Sequence, residues 1–281
     1  MEQETLMPMD IKPSDKAMKE AVEFLSMRIE AEQTFSIELV ALLKKYAKEL
    51  VEVGYRYKIQ PKDFQFSANK DFNEEVNALI AKLRNEIFML LDYCVMIGSE
   101  YENEMNELLG ILGTLGNGKQ SVYQQIATYT NRFKFEIEAF IGAGLIAGVS
   151  QSVVLSHYVT NMKSPWTDKL ITDAFKEKGV KAERLKNKGV SYGVGRSNVA
   201  VNLLNRIGVG SIAISWWEFE SGKFKDNGAI GYMQYRGSTY PCELCDSEAR
   251  FHPITDLDMG YPHAHCRCYR VPIYNSDINM I

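Results

Sequence analysis

The sequence lacks the short motifs that mark several common enzyme classes. No P-loop, no G-x-G-x-x-G fingerprint, no nucleophile elbow and no H-E-x-x-H motif occurs in its 281 residues. These absences argue against the best-known nucleotide-binding, hydrolytic and metalloprotease sites. The net charge of −4 also argues against a protein that binds nucleic acid over its whole surface.

Signals for secretion and for membrane insertion are also weak. The first ten residues, MEQETLMPMD, are acidic and have no apolar core, so we expect no signal peptide and a reducing cytosol in which thiols stay free. Residues 139–162 carry no formal charge and are long enough to span a bilayer. However, glycines and polar side chains interrupt this stretch, and Gly144 and Gly148 have the spacing of closely packed helices. We therefore expect a buried helix pair and no membrane contact.

Cysteine and histidine are scarce, but they are concentrated in one place. Of five cysteines and four histidines, four cysteines and three histidines lie between positions 242 and 268. Cys242 and Cys245 form a C-x-x-C pair, which on a tight turn presents two thiolates to one side. Cys266 and Cys268 form a C-x-C pair, whose sulfurs share one face of an extended segment while Arg267 faces away. The two pairs predict a closed site for one structural zinc ion per chain.

Other arrangements of these residues stay open at this stage. His263 and His265 are rival zinc ligands, because imidazole also binds zinc. The four cysteines could instead form disulfides in three pairings, or remain unlinked thiols. The intervening loop holds Pro253, Gly260 and Pro262 and few large apolar groups, so it has little core of its own. Metal binding would supply the missing stability, which favours zinc.

The same region resembles a known family. Residues 262–268 read P-H-A-H-C-R-C after the upstream C-x-x-C, and this pattern resembles the phage Mu F-type minor head proteins of the head morphogenesis family. The family tends to have a proline where Ala264 stands here. The segment from Arg196 to Ile207 is similar to a helix that the family places before its terminal β unit, with Asn198 where an acid is more usual. The resemblance covers about residues 140–275.

The resemblance implies a structural function. Proteins of this family are minor components of the phage or prophage head that associate with the portal and the inner capsid in assembly, DNA packaging or ejection. It implies a virion protein made in the bacterial cytoplasm, no enzymatic activity, and portal and capsid proteins as partners, with packaged DNA as a further one.

Hydrophobic periodicity predicts long helices before the cysteine region. The first begins at Ser14 and Asp15 and ends near Tyr57, and Gln33-Thr34 is a candidate break. The second covers about residues 69–112 with an apolar stripe, and the third covers about 120–141. Cys94 lies among apolar neighbours and is predicted to be a core residue. Such long antiparallel helices suit a scaffold or an oligomerisation arm.

A basic stretch and a change of period follow the helices. Residues 163–206 carry ten Lys and Arg against four Asp and Glu, and Ser164-Pro165 predicts a helix start. The best candidates for weak nucleic-acid contact are Lys181, Arg184, Lys186 and Lys188. Alternation at residues 212–219 predicts a strand with a turn at Ser221-Gly222, and further strands are predicted at residues 231–236 and 269–273.

These patterns predict a mainly α chain with a small C-terminal β unit, an α+β fold in which long antiparallel helices precede a β-hairpin region bearing the zinc knuckle. The predicted organisation is a flexible lead at 1–13, a long-helix bundle or arm at 14–138, and a Mu F-like domain at 139–281 with the knuckle at 240–270. The alternative function is a zinc-dependent, HNH-like nuclease or another DNA-processing protein of a mobile element, in which Asp256, Asp258, His263 and His265 would act.

Overall fold

The chain is mainly helical, with a small sheet near its C-terminus. The computed structural model describes residues 12–60, 65–97, 99, 102–116, 118–178, 199–255 and 266–277. The described α-helices are α1 Asp15–Arg56, α2 Lys70–Met96, α3 Glu102–Thr114, α4 Val122–Ala147, α5 Gln151–Asn161, α6 Lys169–Lys178, α7 Ala200–Asp226 and α8 Glu243–Glu248. The strands are β1 Gly231–Tyr235, β2 Phe251–Pro253 and β3 Tyr269–Ile273. The predicted combination of helices with a small β unit is confirmed.

Helix α1 begins where its cap was predicted, and it runs unbroken through residues 33 and 34. The Ser14 hydroxyl accepts a hydrogen bond from the Ala17 amide at 3.2 Å, which satisfies one of the first free N–H groups.

The single helix predicted over 69–112 is wrong, because two helices, α2 and α3, lie there. The amide and the hydroxyl of Ser99 both donate hydrogen bonds to the Met96 carbonyl. These local hydrogen bonds compete with the hydrogen bonds that would continue α2.

The chain divides into two compact units. The second unit comprises the described parts of residues 34–94 and 114–208. Its core includes the predicted apolar stripe of α2, in which Val76, Ile80, Leu83, Ile87 and Leu91 are buried. Cys94 is fully buried as predicted, and burial raises the pKa of its thiol to about 12. This thiol therefore stays protonated at neutral pH and acts as a small core side chain.

The uncharged stretch forms a helix pair within the second unit. Helix α4 ends at Gly148, whose φ of 67° is the left-handed conformation that caps helices, and α5 begins at Gln151. A Cβ on Gly144 would lie 2.1 Å from a methyl of Val154, so only glycine permits this close approach. The two predicted helices are present, but only α4 is buried here, since α5 buries Val154 and Tyr158 alone. Among the described residues, no helix combines the length and apolarity needed to cross a bilayer.

The start of α6 differs from the prediction. The segment Pro165–Thr167 forms a 3₁₀ turn, and α6 begins only at Lys169. Asp168 caps the helix, since its Oδ1 accepts a hydrogen bond from the Leu170 amide at 2.7 Å. The Ser164 side chain makes no capping hydrogen bond, so Asp168 caps the helix in its place. The predicted helix from Arg196 is described only from Ala200 onward, and residues 196–198 lie outside the described part.

The first unit comprises the described parts of residues 1–33, 95–113 and 209–281. The strand predicted at 212–219 and the turn after it are wrong, because α7 is continuous from Ala200 to Asp226. Ile212, Trp216 and Glu220 are buried at helical spacing, but so are Ala213 and Trp217 between them. A helix that is buried on most sides has no polar face, so its period was hidden in the sequence.

The small sheet has the order β2-β1-β3 and is antiparallel. The strands predicted at residues 231–236 and 269–273 are confirmed as β1 and β3, whereas β2 was not predicted. Arg270 of β3 is fully buried against α7, where it donates to a Glu220 carboxylate oxygen at 2.8 Å and stacks 3.6 Å from the centre of the Trp217 ring. The register pairs Tyr235 with Tyr269, so the segment after β1 and the segment before β3 lie at the same end of the sheet.

Candidate metal centre

The cysteine pairs come together because of the sheet register. The C-x-C pair immediately precedes β3, and the C-x-x-C pair follows β1 by a short loop at the same end of the sheet. Cys242 has extended backbone at the start of the six-residue helix α8, and Cys245 lies within that helix. A turn of helix therefore directs the first pair toward the extended segment that carries the second.

Three sulfurs form a compact group. The Sγ atoms of Cys245, Cys266 and Cys268 all lie within 4.8 Å of one another, and those of Cys245 and Cys266 are 3.8 Å apart. Zinc–sulfur bonds of about 2.3 Å in a tetrahedron place sulfurs about 3.8 Å apart, so this separation suits a shared ion. None of the cysteines is in a disulfide bond. Cys242 is half-buried and packs against the other three.

Burial makes this group unfavourable as unmetallated thiolates. Cys245, Cys266 and Cys268 are each no more than 4% exposed. Burial raises the pKa of Cys245, and the hydrogen bond with Cys266 raises the pKa of Cys268. A bound cation would reverse this preference, because a coordinating thiol loses its proton outright. Within the part of the chain that the structure describes, the local apolar cluster consists of these four cysteines.

Helix α1 holds the C-x-C backbone through a buried arginine. Arg28 is 4% exposed and its Nη2 donates to the carbonyl oxygens of Cys266 and Cys268 at 3.0 and 3.4 Å. Its partner Glu32, one turn along α1 and 2% exposed, accepts from Arg267 Nη1 at 2.6 Å. Arg267 thus faces away from the sulfurs, as its position in C-x-C predicts, and the ion pair with Glu32 holds it against α1.

A second arginine organises the loop before the C-x-x-C. Arg236 donates to the Asp246 carboxylate and to the carbonyl of Tyr240. Asp246 holds the pKa of Arg236 above its ordinary value, and the Cys245 and Cys268 thiols raise it further. Arg28 and Arg267 share Glu32, and Arg236 pairs with Asp246, so these side chains leave one net positive charge around the cysteines. A zinc ion with four thiolates would carry two excess negative charges, which this positive charge would partly offset.

Gly237 lies where this loop meets the C-x-C segment. A Cβ at this position would be 1.7 Å from the carbonyl oxygen of Arg267, far inside any permitted contact. Leu25 of α1 lies against the same point. The absence of a side chain at Gly237 therefore allows the two cysteine-bearing segments to lie close together.

Several predicted site residues are outside the described part of the chain. The rival ligands His263 and His265, the nuclease candidates Asp256 and Asp258, and the four basic residues Lys181, Arg184, Lys186 and Lys188 all fall there. The third histidine of the region, His252, is buried in β2, stacks on Tyr232 with ring centres 4.9 Å apart, and has Nε2 2.9 Å from the Glu248 carbonyl.

Sequence reasoning missed the contribution of α1. Arg28 and Glu32 lie more than 230 residues before the cysteines they support. Their only sequence signal was a pair of opposite charges four residues apart, which is common on exposed helices.

No protein-family model, curated protein or solved structure matches this chain. The resemblance to the Mu F-type minor head proteins stays a prediction based on the residues quoted above.

Proposed function

We propose that Cys242, Cys245, Cys266 and Cys268 bind one structural zinc ion per chain. The observation that carries this proposal is the close, buried grouping of three sulfurs within 4.8 Å of one another, two of them 3.8 Å apart, with the fourth cysteine packed against them. The three surrounding arginines exceed their partners Glu32 and Asp246 by one positive charge, which would offset part of the negative charge of such a site. Four protein ligands leave no position for water, so the zinc would stabilise the fold and would not catalyse a reaction.

The zinc would stabilise the packing of α1 against the end of the sheet that carries the cysteines. The residues around the C-x-x-C contribute little burial of their own, since Tyr240 and Leu244 are 78% and 46% exposed. The C-x-C carbonyls already bond to Arg28, so a metal shared between both cysteine pairs would join loop, strand and helix of the first unit. Small regions that lack a core commonly derive their stability from a metal in this way.

Cobalt substitution tests the ligand set. Tetrahedral Co²⁺ bound by thiolates gives intense visible and near-ultraviolet absorption, and its sulfur charge-transfer intensity rises with the number of thiolates. We expect a four-thiolate spectrum that loses intensity in Cys242→Ser and is unchanged in His263→Ala and His265→Ala. A histidine variant that changes the spectrum while Cys268→Ser does not would show that the ligand set is wrong.

We propose further that the protein is a minor head protein of a phage or prophage, present in the virion and in contact with the portal or inner capsid. The support is the P-H-A-H-C-R-C segment at residues 262–268 with its upstream C-x-x-C, together with a fold that brings the cysteines close to one another. The long helices α1 and α2 carry exposed apolar side chains that suit a protein partner or a second copy, among them Ile37, Met89 and Tyr93.

Co-expression with a portal protein from the same phage or prophage genome tests this assignment. We expect the tagged chain to capture the portal or another capsid component. The double change Met89→Glu and Tyr93→Glu, one helical turn apart on α2, should weaken capture, whereas Ala81→Glu on the same helix should not. A chain that stays monomeric at high concentration and captures neither component would contradict the proposal, whatever its zinc content.

A further inference from the structure

A polar pocket on the second unit lies apart from the cysteines. It has a volume of about 290 Å³ between α5 and the start of α6, and its lining includes Ser156, His157, Thr160, Asn161, Asp168 and Lys169. His157 is about one-third exposed, and its Nδ1 lies 2.9 Å from Oδ2 of Asp168. This bond leaves the other ring nitrogen, Nε2, without a hydrogen-bond partner among the described residues.

The Asp168 carboxylate is already fully engaged. It is 3% exposed and accepts hydrogen bonds from His157 Nδ1, from Asn161 Nδ2 at 2.6 Å and from the Leu170 amide at 2.7 Å. Its charge is therefore directed into the protein and compensated by three donors. The carboxylate fixes the orientation of the histidine ring and has little capacity left for a ligand.

The groups left for a ligand are mainly donors. Ser156 and Thr160 are exposed hydroxyls on α5, and Lys169 is an exposed ammonium with no ion pair among the described residues. His157 Nε2 donates when the ring is doubly protonated. A metal ion is disfavoured, because the pocket offers one unengaged imidazole nitrogen and no unengaged carboxylate. An apolar ligand is disfavoured by the polar lining.

We propose that this pocket binds a phosphate group. Phosphate offers several acceptor oxygens and negative charge to the hydroxyls, the ammonium and the imidazole. The phosphate would bind at Nε2, the ring nitrogen that the Asp168 contact at Nδ1 leaves open. Two kinds of ligand carry such a phosphate group: a free phosphate and the phosphodiester backbone of DNA. This inference is independent of the zinc site.

Calorimetric titration of the full chain with inorganic phosphate, at constant ionic strength, tests the proposal. We expect a dissociation constant on the order of 1 mM, as for a small ligand held by a few polar contacts. His157→Gln should weaken binding about tenfold, because it removes the hydrogen bond at Nε2. Lys169→Ala should weaken it by up to about fivefold. The matched control Lys163→Ala, a nearby exposed lysine that does not line the pocket, should leave the affinity within about twofold.

A mixed-sequence DNA duplex, titrated in parallel, identifies the source. Tighter binding of the duplex than of phosphate, weakened by the same two variants, assigns the pocket to a DNA backbone. Binding of inorganic phosphate alone assigns it to a small phosphate. Circular dichroism confirms that each variant is folded, and Lys169→Ala changes only an exposed side chain. The proposal is overturned if neither probe binds, or if binding is equal in the wild type, His157→Gln and Lys169→Ala.

Discussion

Gly237→Ala should disrupt the metal centre although it adds only one methyl group. The new Cβ would lie 1.7 Å from the Arg267 carbonyl oxygen, and real Cβ atoms do not approach closer than 3.0 Å. The two cysteine-bearing segments would therefore have to separate by about 1.3 Å at this point. Metal–ligand distances tolerate only about 0.2 Å. A displacement of this size between the C-x-x-C and C-x-C segments should distort the ligand geometry.

Overpacking of this kind typically costs about 1–3 kcal/mol. If the cost falls on the metal-bound state, zinc affinity should weaken by about tenfold or more, since about 1.4 kcal/mol corresponds to a factor of ten. Competition with a chromophoric zinc chelator measures the affinity directly. The expected result is faster and more complete zinc loss in Gly237→Ala than in the wild type.

Gly210→Ala is the matched control for this substitution. Gly210 lies within α7, and a Cβ there would meet nothing within 4 Å. The same chemical change should leave zinc affinity unaltered and stabilise the helix by up to about 1 kcal/mol. Equal zinc affinity in Gly237→Ala and the wild type would refute the argument that this glycine allows the two cysteine pairs to meet.

The remaining predictions concern a buried acid, a buried thiol and the basic stretch. Burial raises the pKa of Glu136 to about 8, so the folded state holds a proton that the unfolded chain releases near pH 4.5. As the pH rises between these two values, the free energy of unfolding should therefore fall by up to about 1.4 kcal/mol per pH unit. Glu136→Gln should remove that slope in pH-dependent denaturation and still accept from the Ala200 amide, and an unchanged slope would contradict the assignment. Cys94→Ser should lower the free energy of unfolding by about 1–3 kcal/mol, because it buries a hydroxyl, while zinc content stays constant. Replacing Lys181, Arg184, Lys186 and Lys188 with glutamine should weaken DNA binding and reduce its dependence on salt concentration. Equal DNA affinity in this variant and the wild type would show that these residues do not contact DNA.

Local signals predicted much of the fold. The Ser14 cap, the α2 stripe and the two helices around Gly148 all depend on neighbours in sequence, and each is confirmed. The strand predicted at residues 212–219 failed because α7 is buried on most of its surface, and a helix without a polar face has no visible period. Tertiary burial, which local patterns do not report, decided this element.

Of the residues that form the candidate site, only the cysteines were predictable. The spacing of the cysteines identified the two pairs, but nothing local indicated that Arg28 would bond to the backbone of Cys266 and Cys268. The pairing of His157 with Asp168 was likewise hidden, because it depends on how α5 and α6 meet. Long-range contacts of this kind arise from the fold and have no fixed spacing in sequence.

The most direct test of the central claim is native mass spectrometry of the full chain purified under reducing conditions. The account predicts one zinc ion per chain, lost in Cys242→Ser and in Cys266→Ser, and retained in Cys94→Ser and in Arg267→Ala. A metal-free wild-type protein with two disulfides among Cys242, Cys245, Cys266 and Cys268 would contradict it.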